Sequence, residues 1–402
     1  MSNIPKLRFK EFSGEWEEKA LDTIASFTKG KGISKSDIDA DGQIECIRYG
    51  ELYTQYNELI QHVISRTNVD KNDLVLSEYG DIIIPASGET QIDIATASCI
   101  LKANVALGGD LNIIKTKEDG VFLSYYLNNA KKFDIARLSQ GISVVHLYSS
   151  QLKTLKLNLP SKQEQEKIAS FLTSVDTKIE QLVRKEELLG QYKKGVMQKI
   201  FNQEIRFKAD DGSEFPKWKE KKLNDFLILT LREVPKPKEN YLAIGVRSHC
   251  KGTFQKPDSE PHKIAMDKLY KVQENDLIVS ITFAWESAIA IVKKEDNNGF
   301  VSHRFPTYTF NRNIAIHEYF KYVIIQKKFR FMLELISPGG AGRNRVMSKK
   351  DFLKLKLTLP CVEEQTKIAT FLSSIDIKIE QVKNQLEQTE EFKKALLQQM
   401  FV

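Results

Sequence analysis

Cysteine is scarce: Cys46, Cys99, Cys250 and Cys361 are the only four in 402 residues, far apart and without a CxxC pair. That spacing excludes a disulfide framework and a cysteine zinc site, and it fits reduced thiols in a cytosolic chain. Histidine is nearly as rare, and His62, His146, His249, His262, His303 and His317 lack the spacing of metal ligands. No run reaches the ~18 uninterrupted apolar residues of a membrane span, and Met1–Glu11 lacks the apolar stretch of a signal peptide. The expectation is a cytoplasmic protein with no membrane partner. Among 11 prolines there is no Pro-Pro, so the Asn/Asp-Pro-Pro-aromatic motif of an adenine methyltransferase is missing. A phosphate-binding GxxxxGK[ST] loop is missing too. The nearest stretch, Gly339-Gly340-Ala341-Gly342-Arg343, lacks the Lys-Ser/Thr and follows no strand-like run. Pro257-Asp258-Ser259-Glu260 with Lys263 has the wrong spacing for a nuclease metal site, and no Ser/His/Asp set stands out.

What is present is an ordinary globular composition, 41% hydrophobic and 28% charged, long enough for two or three domains. Lys+Arg number 60 against 53 Asp+Glu, a net charge of +7. The resulting pI near 8.9 permits nucleic-acid binding. Spread over the whole chain, however, it is a weak field unless clustered.

The strongest signal is an internal repeat. Residues 159–180 read LPSKQEQEKIASFLTSVDTKIE and residues 359–380 read LPCVEEQTKIATFLSSIDIKIE, an ungapped match that continues to Phe201 and Phe401. A looser match opens each half: Leu7-Arg8-Phe9-Lys10 then Trp16 to Leu21, and Ile205-Arg206-Phe207-Lys208 then Trp218 to Leu223. The chain is thus a duplicated unit.

In the first tail Ile168, Val175, Leu182, Leu189 and Val196 fall seven apart, with Leu172, Ile179 and Ile200 four residues on. The second gives Ile368, Ile375, Val382 and Leu396 with Leu372, Ile379, Leu386 and Met400. Such a seam predicts two helices of ~60 Å that pair with each other, entered at Pro160 and Pro360. Two amphipathic helices lying on separate domains is the alternative. Glu186, Lys193, Thr389 and Lys393 interrupt the seam and predict looser far ends. A parallel pair would need Asn202–Lys217 to span the helix length, and fully extended those residues reach only ~54 Å. An antiparallel pair is expected, with a globular block at either end. Lysines and acids on the tails nearly balance, which suits protein partners better than phosphates. Phe171 and Phe371, beside the seam, either complete the core or anchor partner helices.

Strand-like runs at Ile82–Ile84, Leu277–Ile281 and Ala288–Val292, helices near Val121–Asn128 and Ile316–Gln326, and turns at Gly108-Gly109-Asp110 and Asn297-Asn298-Gly299 make the blocks mixed and β-rich. The fold class is α+β. The expected layout is a first block over 1–160, a long helix over 161–202, a linker over 203–217, a second block over 218–360 and a second helix over 361–402. Tail similarity is high while block similarity nearly vanishes, as expected of one scaffold carrying two differently tuned readers.

The two tails, with the preceding LKTLKLNLP and FLKLKLTLP, resemble the specificity subunit of type I restriction–modification enzymes. The resemblance covers essentially the whole chain and is specific in the tails. It implies two target-recognition domains reading the halves of a split, asymmetric site on double-stranded DNA. The helices would set the gap and dock two modification (methyltransferase) subunits, with restriction (translocase/nuclease) subunits joining them. It further implies a non-catalytic chain that binds no cofactor, with S-adenosylmethionine, ATP and Mg on the partner subunits. A self-contained nuclease or methyltransferase with unrecognised motifs, and a tether whose blocks bind protein, are the rival readings.

Base readout needs paired donors and acceptors, while Lys and hydroxyls mostly hold phosphates. On that basis the candidate DNA contacts in the first block are Lys29, Lys31 and Lys35 in a glycine-flexed basic loop, then Arg48, Tyr49, Ser87, Gln91, Arg137, Gln140 and His146. In the second block they are Arg247, His249, Thr282, Trp285, His303, Arg304, Arg343, Asn344 and Arg345.

Overall fold

The computed structural model describes residues 3–141, 144–339 and 345–402. Its contacts divide the chain into two compact units, Met1–Glu186 with Gln381–Val402, and Glu187–Glu380. Each unit therefore combines one block with the start of one tail and the end of the other.

In the first unit the strand Glu17–Ala20 pairs antiparallel with Lys156–Leu159, which leads into the long helix Lys162–Phe201. A five-stranded sheet follows the order 25–29, 111–116, 82–85, 98–100 and 59–60. The helix Gly120–Asn129, capped by Asp119, buries Phe122, Tyr125 and Tyr126 against it. Ile82–Ile84 are wholly buried, and the run is apolar at every position because both faces of the sheet are covered. A three-stranded sheet, 65–67, 44–47 and 106–107, lies outside this core.

The second unit repeats the frame. Lys219–Lys222 pairs with Lys356–Leu359 ahead of the helix Val362–Gln399. Its four-stranded sheet, 227–229, 307–310, 277–279 and 289–291, follows the same order as the first four strands above. The helix His317–Val323 takes the place of Gly120–Asn129. Blocks with almost no common sequence thus share one core topology. Its outlying sheet differs: five strands, 232–235, 268–271, 300–301, 241–246 and 253–259.

Within each unit the two helices run antiparallel. In the first, Lys393 pairs with Asp176 at 2.8 Å and Lys383 with Glu186 at 3.7 Å, one chain rising as the other falls. In the second, Lys193 pairs with Asp376, while Met197 and Ile200 share a core with Ile368 and Leu372. Leu182 and Val382, midway along each helix, are buried, and residues 171–190 and 371–390 carry the same burial pattern.

The far ends are not loose. Lys193 and Lys393 are ion-paired, and beyond them Met197, Ile200, Leu396, Met400 and Phe401 are buried in the block cores. The two lysines occupy seam positions because an aspartate faces each one. Phe171 and Phe371 stand edge-on to Phe9 and Phe207, at 5.7 and 5.6 Å, so the opening segments cover part of each ring.

Two glutamates lock those opening segments. Glu164 and Glu364, at the helix starts, are buried and accept both Nε and Nη2 of Arg8 and of Arg206. Gln165 and Gln365 accept the backbone N–H of Asp119 and Ile316, and donate to the Pro160 and Pro360 carbonyls. Among the described residues no helix is long and apolar enough to cross a membrane.

Candidate nucleic-acid interface

Both units build a polar corner at the same point of the frame. In the first, Ser87–Gly88 follows the strand Ile82–Pro85 and pairs with Val145–His146, and the Leu147 N–H donates to the Ala86 carbonyl at 3.0 Å. In the second, the segment after Leu277–Val279 does the same: the Met347 N–H donates to the Ile281 carbonyl at 2.8 Å. The segment just before each tail is therefore held along the segment after the central strand. The side chains presented there differ entirely.

In the first corner Ser87 Oγ lies 3.2 Å from His146 Nδ1. The His146 ring stacks on Tyr148 with centroids 6.2 Å apart, and Lys29 Nζ sits 5.7 Å over the Tyr148 ring. Gln140 joins through its backbone, exchanging hydrogen bonds of 2.9 and 2.7 Å with His146. Four expected residues meet here: Lys29, Ser87, Gln140 and His146. Tyr148, exposed and aromatic, was missed. It falls two residues after His146, so an extended chain places both on one face, which is the signal that could have found it.

Lys35, Arg48 and Tyr49 line a second feature, and Lys31 does not. A cavity of about 930 Å³ is lined by Gly32, Ser34, Lys35, Arg48, Tyr49 and Asp110 among others. Arg48 is tied to a neighbouring carboxylate in this arrangement. Its Nη2 donates to the buried Glu51 at 3.1 Å, Glu51 also accepts from Ser65 Oγ, and among the described residues Arg48 Nε is buried without a hydrogen-bond partner. Lys31 Nζ stands 3.5 Å from Asp73 on the surface. Gln91 begins a short helix capped by Thr90, and Arg137 is highly exposed on the helix Lys132–Leu138, beside Asp134.

In the second corner the turn at 280–287 gathers most of the expected residues. Arg345 lies 5.4 Å over the Trp285 ring, whose buried Nε1 has no hydrogen-bond partner among the described residues, and it also approaches Glu334 at 3.9 Å. Thr282 Oγ1 is 3.2 Å from Ser280 Oγ, and the Arg304 carbonyl accepts from the Ile281 N–H. His249 is tied in by its N–H to the Glu286 carbonyl, with Ser248 Oγ on the Glu286 carboxylate. Arg247 stacks over Phe254 at 5.1 Å and donates to the Thr253 carbonyl. His303 and Arg304 are exposed in the turn before the strand Thr307–Phe310. Arg343 and Asn344 lie outside the described residues, as does most of the Gly339–Arg343 stretch.

Neither corner carries the marks of a catalytic centre. No group of three or more His, Cys, Asp or Glu among the described residues could hold a metal ion. Burial pushes the Cys46 thiol up to about 11 and the Cys99 thiol up to about 12, with nearby carboxylates adding to both, so neither is an activated nucleophile. The corners instead combine cations, stacked rings and hydroxyls, a set suited to phosphate and base edges, with Lys29, Tyr148, His303 and Arg304 exposed.

Comparison with known proteins agrees. The sequence matches the type I restriction modification DNA specificity domain twice, over residues 13–189 and 216–391. It is 25% identical to a putative type I restriction enzyme MjaX specificity subunit of Methanocaldococcus jannaschii, covering 98% of this chain and 95% of that protein. It is 24% identical to the type I restriction enzyme MjaVIII specificity subunit of the same organism, over 97% and 94%. The crystal structure of a type I restriction-modification system S subunit from M. genitalium superposes with a TM-score of 0.62 at 16% identity, covering 99% of both chains.

Proposed function

Because the chain belongs to the type I restriction–modification DNA specificity family, whose members recognise DNA and are not catalysts, we propose that its two units read the two halves of a bipartite, asymmetric duplex target. In this reading residues 1–160 and 218–360 are the target-recognition domains. Residues 161–202 and 361–402 are spacer helices, and 203–217 is a linker. The observation that carries it is the corner built at one place in both units from unlike residues: Lys29, Ser87, His146 and Tyr148 in one, Thr282, Trp285, Arg304 and Arg345 in the other. A shared frame fixes where the DNA is met, and side chains with different donor patterns make the half-sites different.

The partners are two modification subunits docked on the long helices, and restriction subunits that join them. S-adenosylmethionine, ATP and Mg act on those partners, and the complex works in the cytoplasm. The exposed face of the helices supports this reading, because Lys178, Lys185, Glu180 and Glu187 give it both signs of charge without a phosphate-binding stripe.

The test is a methylation map of DNA from a host carrying this chain with its partner subunits. The expected motif is split, with two unlike halves around a fixed gap. A continuous or palindromic motif refutes the reading. Turnover by the purified chain alone, given Mg²⁺, ATP and S-adenosylmethionine, would refute its dependence on partners.

A further inference from the structure

Lys193 and Lys393 stand 200 residues apart, at corresponding seam positions of the two long helices, where an apolar residue belongs. In the first unit Lys393 Nζ lies 2.8 Å from Asp176 and 3.2 Å from Glu58, and 5.5 Å over the Tyr125 ring. The Tyr125 hydroxyl donates to Asp176 at 2.5 Å. The side chains of Lys393, Asp176 and Glu58 are only 17%, 21% and 16% exposed. In the second unit Lys193 pairs with Asp376 and lies 5.5 Å over Tyr322, whose hydroxyl donates to Asp376 at 2.7 Å. Each lysine joins both helices and one block in a single cluster.

We propose that these two lysines set the register of the helix pair. The consequence drawn below for the DNA gap rests on the function proposed above. The apolar seam repeats every seven residues, so sliding one helix by a heptad again places apolar side chains against apolar side chains. The charged positions do not survive the slide. Moved one way, Asp176 faces Leu386, Lys393 faces Ala169 and Asp376 faces Glu186. Moved the other way, Asp176 faces Met400, Lys393 faces Val183 and Lys193 faces Lys383. Either slide leaves poorly hydrated charges unpaired and sets like charges opposite one another, and the cost of an uncompensated buried charge exceeds anything the seam distinguishes. A buried polar residue at one seam position is a known way to specify register at some cost in stability. Here the device is present twice, once per unit.

The test uses the full chain with a reporter cysteine pair. Glu186→Cys with Lys383→Cys reports the observed register, and Glu186→Cys with Glu390→Cys reports a one-heptad slide. With the lysines in place only the first pair should form a disulfide. In the variant Lys193→Leu/Lys393→Leu/Asp176→Asn/Asp376→Asn the second pair should cross-link to a comparable yield. If that variant still cross-links only through the first pair, the seam and block contacts set the register and the proposal fails. Should the variant not fold, the exchanged variant (Lys193→Asp/Asp376→Lys/Lys393→Asp/Asp176→Lys) keeps the question decidable. It should fold in the observed register, and loss of that register refutes the proposal.

A methylation map then separates the two levels. A heptad slide is ~10 Å along the helix, about three base pairs of duplex, so slipped protein should methylate sites whose gap differs by about three. Slipped cross-links with an unchanged gap would uphold the lysines as register pins and refute the helices as the spacer.

Discussion

Glu364 offers a sharp test of what holds the second unit together. It is fully buried and accepts from Arg206 Nε at 3.1 Å, Arg206 Nη2 at 2.6 Å and Trp218 Nε1 at 3.1 Å. Glu364→Leu removes all three acceptor contacts at once. Breaking a buried pair by deleting one partner costs about 3–5 kcal/mol, and orphaning an indole N–H adds about 1 kcal/mol. Arg206 keeps the Phe215 and Pro216 carbonyls and is 22% exposed, which trims the total to roughly 3–4 kcal/mol. For a unit of this size that is a fall in Tm of roughly 6–16 °C. Calorimetry and hydrogen exchange on the full chain should show the second unit melting earlier, with the first unit's exchange unchanged. Glu164→Leu should cost about 1 kcal/mol less, because Trp16 Nε1 has no hydrogen-bond partner among the described residues. The decisive comparison is Glu364→Leu with Arg206→Leu, which should recover most of the loss. If the double variant is as unstable as the single one, the penalty comes from packing and not from a stranded guanidinium, and the reasoning is wrong.

Three further outcomes follow from the geometry. Lys29→Ala with Tyr148→Ala should weaken DNA binding by the complex and relax the first half-site alone, while Trp285→Ala with Arg345→Ala acts on the second. Each lost phosphate contact lowers the salt slope by about 1, and equal relaxation of both half-sites by either pair contradicts two separate readers. His317 lies below its usual 6.5, mainly through burial, with Arg312 and Lys321 adding to this against the opposing pull of Glu318. The unfolded chain therefore takes up the proton first, so stability should fall as pH drops below 6.5 and level off once the folded state also protonates. His317→Gln should flatten that slope between about pH 7 and pH 5, and an unchanged slope assigns it to other groups. Alkylation of native protein near pH 8 should spare Cys46 and Cys99, raised to about 11 and about 12, until denaturant is added. Fast native labelling of either would show that its core opens readily.

The frame was legible in the sequence because it is written twice. The heptad run from Ile168 to Leu182 and from Ile368 to Val382 predicted helix pairing that the structure makes, whereas the Arg8–Glu164 and Arg206–Glu364 pairs, though both partners lie in repeated segments, were not anticipated. The common block topology was hidden. A strand such as Ile82–Pro85 and its counterpart Leu277–Val279 need only be apolar, so their shared place in the sheet leaves no common residues behind. Lys193 and Lys393 were misread as breaks in the seam, since the aspartate answering each lies in the other tail and no local pattern links them. The corners were half visible: cations in glycine-rich or polar turns stood out, but Tyr148 and the commitment of Arg48 to Glu51 depend on which segments fold against each other.

The division of each core between two stretches of chain has a consequence in time. The first unit buries Leu396, Met400 and Phe401 with Trp16, Phe122 and Tyr126, and the Leu7 N–H donates to the Gln399 carbonyl. Its own first stretch ends at Glu186, and the remainder begins at Gln381. A ribosome adding ~5–20 residues per second needs on the order of 10–40 s to cross that interval. Throughout it the first core stands open where the last helix turns will sit. The second unit's stretch is continuous, so the half translated later can finish folding first.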